Sequence, residues 1–461
     1  MTATASADKD FGWLGILRLG LVQASLGAII ILTTSTLNRV MTVELGLMAM
    51  IPGALVGLHY GVQLSRPHWG YSADEGGART PWIIGGMAVL ALGAVLAALG
   101  VAHMGASLWQ GMVMAVTAFV LIGGGVGAAG TNLLALLAME TRPERKAAAA
   151  GIVWIMMIIG FIITAASAGT YLDIRDETGA VSDFSMDRLV LVVSIVSGVA
   201  FLVSVLAIFR LEHRHSAAQI ARTEKPKTDF KTAFAEIWAE PQARHFTIFV
   251  FVSMLAYSAQ DLILEPFAGL IHGYTPGEST KLAAVQNQGA LVGMIVTAIV
   301  GSTIGKSRAG FMRMWTVAGC IGSAIALGLL AVGAGVGMGW PLKANVFGLG
   351  LANGAFAVAA IGSMMALASA GREGREGTRM GLWGASQAVA FGLGSFLGTL
   401  MIDAARVVFD TATAFGLVFS IEGGLFLASA LLALRVGQTD ADNAHLPLLP
   451  AGEPLAAASR R

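Results

Sequence analysis

Thr131-Asn-Leu-Leu-Ala-Leu-Leu-Ala138 ends an apolar run, the basic turn Arg142-Pro-Glu-Arg-Lys146 follows, and a new apolar run opens with Gly151-Ile-Val-Trp154. About 230 residues later the pattern returns as Ile361-Gly-Ser-Met-Met-Ala-Leu-Ala368, then Arg372-Glu-Gly-Arg-Glu-Gly-Thr-Arg379, then Gly381-Leu-Trp383. A basic turn recurring between matched apolar runs divides the 461 residues into two halves of one design.

Outward from these strings the chain is apolar almost throughout. Hydrophobic residues make up 56% and charged residues 12%, about half the supply of a soluble domain, and the mean hydropathy is +0.73. This excludes a disordered chain, a disulfide scaffold and an ordinary soluble enzyme. A net charge of +1 gives no bulk field to recruit nucleic acid, and the single cysteine, Cys320, lies in an apolar run as a small hydrophobe.

Lipid offers no partner to a bare peptide group, so each crossing needs around 20 mainly apolar residues in a helix. That ruler gives twelve spans: 13–37, 47–65, 81–102, 108–138, 149–171, 188–209, 245–270, 281–304, 311–333, 344–369, 381–402 and 412–435. The predicted fold is an all-α polytopic membrane protein with twelve transmembrane helices. Its organisation reads as an N-terminal tail at 1–12, a six-helix half at 13–209, a central loop at 210–244, a second six-helix half at 245–436 and a tail at 437–461. The first span carries Arg18, placed to snorkel, and is too long for a cleavable signal peptide.

Of the 29 Lys and Arg residues, 22 fall on the side of both termini and six on the opposite side. That bias predicts cytoplasmic termini. Trp13, Trp82, Trp109, Trp315 and Trp340 sit at span edges, as an aromatic belt requires.

Six-plus-six halves joined by one long loop resemble the major facilitator superfamily, whose halves are parallel repeats. The loop after the second span, Gly70-Tyr-Ser-Ala-Asp74-Glu-Gly-Gly77-Ala-Arg79, resembles that superfamily's G-x-x-x-D-x-x-G-x-R signature. Glycine allows its tight turn, and Asp74 is placed to accept from a helix N-terminus or a neighbouring Arg. The C-terminal counterpart, Gly301-Ser-Thr-Ile-Gly305-Lys-Ser-Arg308, lacks the Asp. In the central loop Phe230, Phe234, Ile237 and Trp238 form an apolar stripe ended by Pro241, the mark of a short helix lying on the membrane or docking a partner.

Charges inside spans are expensive and each calls for a reason. On the second span His59 and Gln63 share a helix face, either as a proton site or as a core histidine bonded to a backbone carbonyl. On the seventh, Gln260-Asp261-Leu-Ile-Leu-Glu265-Pro266 sets two carboxylates one turn apart. Their repulsion favours a proton on one of them, and Pro266 removes a helix hydrogen bond just beyond. Asn38, Arg39 and Glu44 form an exoplasmic polar cluster where the first span ends, with Arg39 in reach of span seven. Gln286, Asn287 and Gln288 add amides to that region, while Asn132, Gln387 and Glu422 read as isolated packing groups. No Walker loop, no His or Cys pair at metal spacing and no nucleophile elbow is present.

Three strings carry a more specific resemblance: Thr36-Leu-Asn-Arg-Val-Met-Thr-Val-Glu-Leu45, Arg79-Thr-Pro-Trp-Ile83 and Gln260-Asp-Leu-Ile-Leu-Glu-Pro-Phe267. Together they resemble the PucC/LhaA family of photosynthetic bacteria across nearly the whole chain. Leu32-Thr-Thr-Ser-Thr36 and Arg66-Pro-His-Trp-Gly70 are similar to its branch labelled a bacteriochlorophyll synthase chain. The resemblance implies light-harvesting antenna assembly in the bacterial inner (intracytoplasmic) membrane, with bacteriochlorophyll as cargo rather than cofactor. It implies antenna alpha and beta polypeptides, and late pigment-synthesis enzymes, as partners, and a non-enzymatic role. A chlorin magnesium wants one axial ligand, for which His59, His103 and His272 are candidates the resemblance does not assign. A proton-coupled small-molecule exporter is the alternative reading. A tail transferase is disfavoured because Asp-rich diphosphate sites are missing.

Overall fold

The computed structural model describes residues 11–66, 69, 78–142, 145–173, 184–212, 239, 241–303, 310–370 and 376–435. Among these residues twelve long helices dominate. They are α1 (Trp13–Glu44), α2 (Met50–Gln63), α3 (Thr80–Met104), α4 (Leu108–Glu140), α5 (Lys146–Leu172) and α6 (Met186–Ile208). The second half holds α7 (Pro241–His272), α8 (Pro276–Thr303), α9 (Phe311–Val336), α10 (Leu342–Ala370), α11 (Glu376–Arg406) and α12 (Thr411–Arg435). Eleven are long and apolar enough to cross a bilayer; α2, with 14 residues, is the shorter member.

The repeat read from the sequence is a repeat of packing. In the first half α1 lies on α5 and α6, α3 on α4 and α6, and α2 on α4. Adding six to every number gives the second half: α7 on α11 and α12, α9 on α10 and α12, α8 on α10. The halves meet through α2 on α11 and α5 on α8, two seams exchanged by the same operation, and through the end of α1 against α7. This is the major facilitator architecture.

Lipid tails are as apolar as leucine, so close backbone approach rather than the hydrophobic effect holds such helices together. Gly350 and Gly354 of α10 lie against the carbonyls of Gln286 and Ala290 on α8, leaving no room for a Cβ. Gly289 and Gly293 of α8 lie equally close to Phe347 and Leu351 in return. The second half also stacks phenylalanines from three helices, with Phe267 5.0 Å from Phe419 and Phe356 6.2 Å from Phe426, centroid to centroid.

Two boundaries differ from the sequence reading. The first span was expected to end at 37, yet α1 continues to Glu44 through two π-helical segments, Leu32–Thr36 and Val40–Glu44. Thr33 donates its hydroxyl to the Ile29 and Ile30 carbonyls and Thr34 to the Ile30 carbonyl, so these two threonines are satisfied within the helix. The seventh span, expected from 245, begins at Pro241, a place where a missing N–H costs nothing. Phe230, Phe234, Ile237 and Trp238 lie outside the described residues, as do Gly70, Asp74 and Gly77 of the signature loop.

Candidate functional site

α1 begins and α12 ends at one end of the bundle, the terminal side; the other end is the far side. On the far side α1 and α7 knit the halves together. Ser35 donates to the Glu265 carboxylate, and the Thr36 and Thr280 hydroxyls meet at 3.1 Å. Asn38 donates its amide to the Leu262 carbonyl at 2.5 Å. That carbonyl is the one Pro266 leaves without an intrahelical donor, being four residues ahead of it. Asn38 thus completes the proline-broken helix from the opposite half.

Arg39 and Glu44 do come together, as a salt bridge within α1. Arg39 reaches past the α7 carboxylates, however, and donates to the Tyr274 carbonyl at 2.7 Å in the turn beyond α7. Its side chain is 3% exposed, against 28% for Glu44.

Two further carboxylates close the far side. Asp403, at the end of α11, accepts from the Ala49 and Met50 amides at the start of α2, at 3.0 and 2.7 Å. Asp173, just past α5, accepts from the Thr275 hydroxyl at 2.5 Å and the Gly277 amide at 2.9 Å, at the start of α8. Sequence reading missed both. The signal for them was present, since each stands at the end of the matched fifth helix of its half.

The Asp261 and Glu265 carboxylates, expected to confront one another, take separate neighbours. Glu265 turns to Ser35 on α1, and Asp261 accepts from the Gln286 amide at 3.3 Å. Of the other two amides expected there, Asn287 bonds to its own helix at Ala283 and Gln288 is exposed. Around Asp261 stand Tyr257 and Tyr60, both packed on the ring of Phe391, at 5.9 and 5.4 Å. This aromatic trio joins α2, α7 and α11 across the halves. Tyr60, Gly57, Gly61, Gly392 and Phe396 line an apolar crevice of about 360 Å³ along the α2–α11 seam.

Gln260 and Glu422 are fully buried, and neither has a hydrogen-bond partner among the described residues. Glu422, read as an isolated packing group, is buried on α12, which packs against α7. Antiparallel packing of α12 on α7, fixed by Phe267 against Phe415 and Phe419, sets it at the depth of Gln260 and Asp261. The region therefore holds three carboxyl groups rather than two.

His59 pairs its Nε2 with the Gln63 amide at 2.7 Å, and Gln63 in turn accepts from Arg66. The imidazole is 1% exposed with Nδ1 unpartnered among the described residues. Any ligation by His59 requires α2 to move. His272 is buried edge-on against Phe267, and His103 pairs locally with Gln110 at 2.9 Å. Arg79 reaches Asn132 on α4 at 3.1 Å, while Glu212 accepts from the Arg79 and Thr80 amides at the start of α3. Arg18 does not snorkel freely; it caps the Ala207 and Phe209 carbonyls at the end of α6. Among the described residues no three His, Cys, Asp or Glu side chains converge as a metal site would require.

The sequence model described as PUCC protein matches residues 36–441, taking in both halves and the far-side seal. The chain belongs to the PucC family. A relative in Rhodobacter capsulatus, the bacteriochlorophyll synthase 44.5 kDa chain, is 49% identical over 96% of this chain and 99% of its own length. Protein PucC of Rhodovulum sulfidophilum is 28% identical, over 87% of this chain and 88% of its own. Among solved structures, a D-xylose-proton symporter superposes with a TM-score of 0.69 at 13% identity, covering 91% of this chain and 97% of that one. PucC-family sequence is thus carried here on a transporter fold.

Proposed function

We propose that this chain is an assembly factor for photosynthetic complexes that binds bacteriochlorophyll within the bilayer and delivers it to the alpha and beta antenna apoproteins. The observation that carries the reading is the PucC family match over residues 36–441, joined to 49% identity with a relative whose name contains bacteriochlorophyll. A chlorin with a long apolar tail does not cross water, so its handler belongs in the membrane. The family match supports placement in the inner membrane of a photosynthetic bacterium, and the excess of Lys and Arg on the terminal side supports cytoplasmic termini. We read the chain as non-catalytic, a synthase label on the relative notwithstanding. Among the described residues the buried polar groups named above hold helices together or stand unpartnered.

The aromatic trio of Tyr60, Tyr257 and Phe391 beside an apolar crevice supports a seat for a flat, tailed cargo. Proton-coupled export of a small molecule is the second reading, favoured by the buried carboxyl groups of Glu265 and Glu422 and the half-buried one of Asp261.

Replacement of the chromosomal gene by a null allele in a pigment-making host separates the two. Pigment handling predicts loss of antenna absorption with free pigment or its precursors accumulating. Export predicts intact antenna and a lost efflux activity, and that result would overturn the reading.

A further inference from the structure

We infer that Asp173 and Asp403 are a matched pair of latches whose release opens the far side, so that this scaffold keeps a two-state switch between its halves. The two aspartates stand 230 residues apart, the interval of the sequence repeat. Each lies at the C-terminal end of the fifth helix of its half and reaches the N-terminal amides of the second helix of the other half. A helix start offers amides with no intrahelical acceptor and a partial positive charge, so a carboxylate meets both needs at once. One two-fold operation therefore generates both contacts, one on each flank of the α1–α7 contact, as in an isologous interface.

Three features make these contacts a latch rather than permanent glue. First, the aspartates are only half-buried, so on release both carboxylate and amides regain water. Second, the seams beside them are smooth. Gly169 and Gly277 face each other backbone to backbone, and Gly53 lies against Thr399, so next to each latch a glycine offers no side chain to interlock. Third, the bonds between the halves at Ser35, Thr36, Asn38 and Arg39 gather on this same side. Letting go of both flanks is then what a rocking of one half against the other demands.

A single reporter tests this. Thr42 of α1 is 4% exposed and bonds only to its own helix, at Asn38. In a Cys320→Ala background, Thr42→Cys is reconstituted in vesicles and its reaction with a membrane-impermeant maleimide is followed from each side. The unmodified latches predict slow far-side labelling. Asp173→Ala with Asp403→Ala together raise its rate about tenfold or more, while each alone changes it less than about threefold, because the other latch still holds. Asn at both sites, which keeps one acceptor, falls between, and it is read in the same way if the double alanine variant does not yield monodisperse protein. A double variant labelled within about twofold of the parent, or a single variant that already equals the double, overturns the inference.

Discussion

Ser35 on α1 donates its hydroxyl to the carboxylate of Glu265 on α7, and the two residues are 230 positions apart. They are therefore repeat equivalents that touch each other, and equivalents in contact must straddle the pseudo-two-fold axis. An interaction on that axis cannot be a symmetric pair of copies. One residue has become the donor and the other the acceptor, and both are buried. The second Glu265 oxygen has no partner among the described residues, so the hydroxyl of Ser35 is the main local support for this carboxyl.

Ser35→Ala is expected to destabilise the protein by about 1 kcal/mol, and at most about 2, the range for buried interhelical hydrogen bonds in membranes. Glu265→Gln keeps an acceptor and costs less. Thermal unfolding of the two single variants and the double in one detergent gives the coupling; purely additive losses would show that the bond contributes nothing.

Arg39 and Glu44 predict an asymmetry. Removing Glu44 leaves a buried guanidinium with the Tyr274 carbonyl as its remaining acceptor among the described residues, whereas removing Arg39 leaves a carboxylate that water can reach. Glu44→Ala should cost about 2–4 kcal/mol and Arg39→Met about 1–2. The reverse order in a chemical or thermal melt would show that the pair does not govern this corner.

Glycines in helices have separable roles. Gly354→Val places a side chain against the Ala290 carbonyl and should prevent α8 and α10 from closing, seen as loss of the monodisperse peak in size-exclusion chromatography. Gly424 has nothing within 4 Å of its would-be Cβ, so Gly424→Ala should be neutral or stabilise by up to about 1 kcal/mol.

Much of this arrangement was legible in the sequence because the period of the repeat and the length of the apolar runs follow from the bilayer itself. The α7 string, with Asp261, Glu265 and Pro266, marked the interface for the same reason: intramembrane charge and an internal proline both demand a compensating partner. What stayed hidden depended on pairing in three dimensions. Nothing local told that Asn38 would supply the donor Pro266 removes, or that Asp261 and Glu265, one turn apart, would face different helices. Glu422 looked isolated because the helix it packs against, α7, is far away in sequence. Asp173 and Asp403 stand at matched repeat positions 230 apart, which the sequence does show, but their partners follow only from the packing of α5 on α8 and α11 on α2. The end of α1 was misplaced because Asn38 and Arg39, whose partners include groups of the other half, look in sequence like the polar end of a span.

The polar region at mid-depth gives a prediction in cells. Asp261→Asn is expected to lower the antenna absorption bands severalfold while the protein stays in the membrane at parental abundance, because Asp261 adjoins the Tyr60, Tyr257 and Phe391 seat. Antenna bands at parental strength would remove Asp261 from the handling of pigment.

Carriage of bacteriochlorophyll is the property proposed for this chain. Its most direct test is the near-infrared absorption spectrum of the tagged protein, purified in mild detergent from pigment-making cells, with co-purifying polypeptides identified from the same sample. The account predicts stoichiometric bacteriochlorophyll that is depleted in Tyr60→Ala or Phe391→Ala protein of normal monodispersity. A colourless preparation, free of antenna polypeptides and pigment-synthesis enzymes, would contradict it.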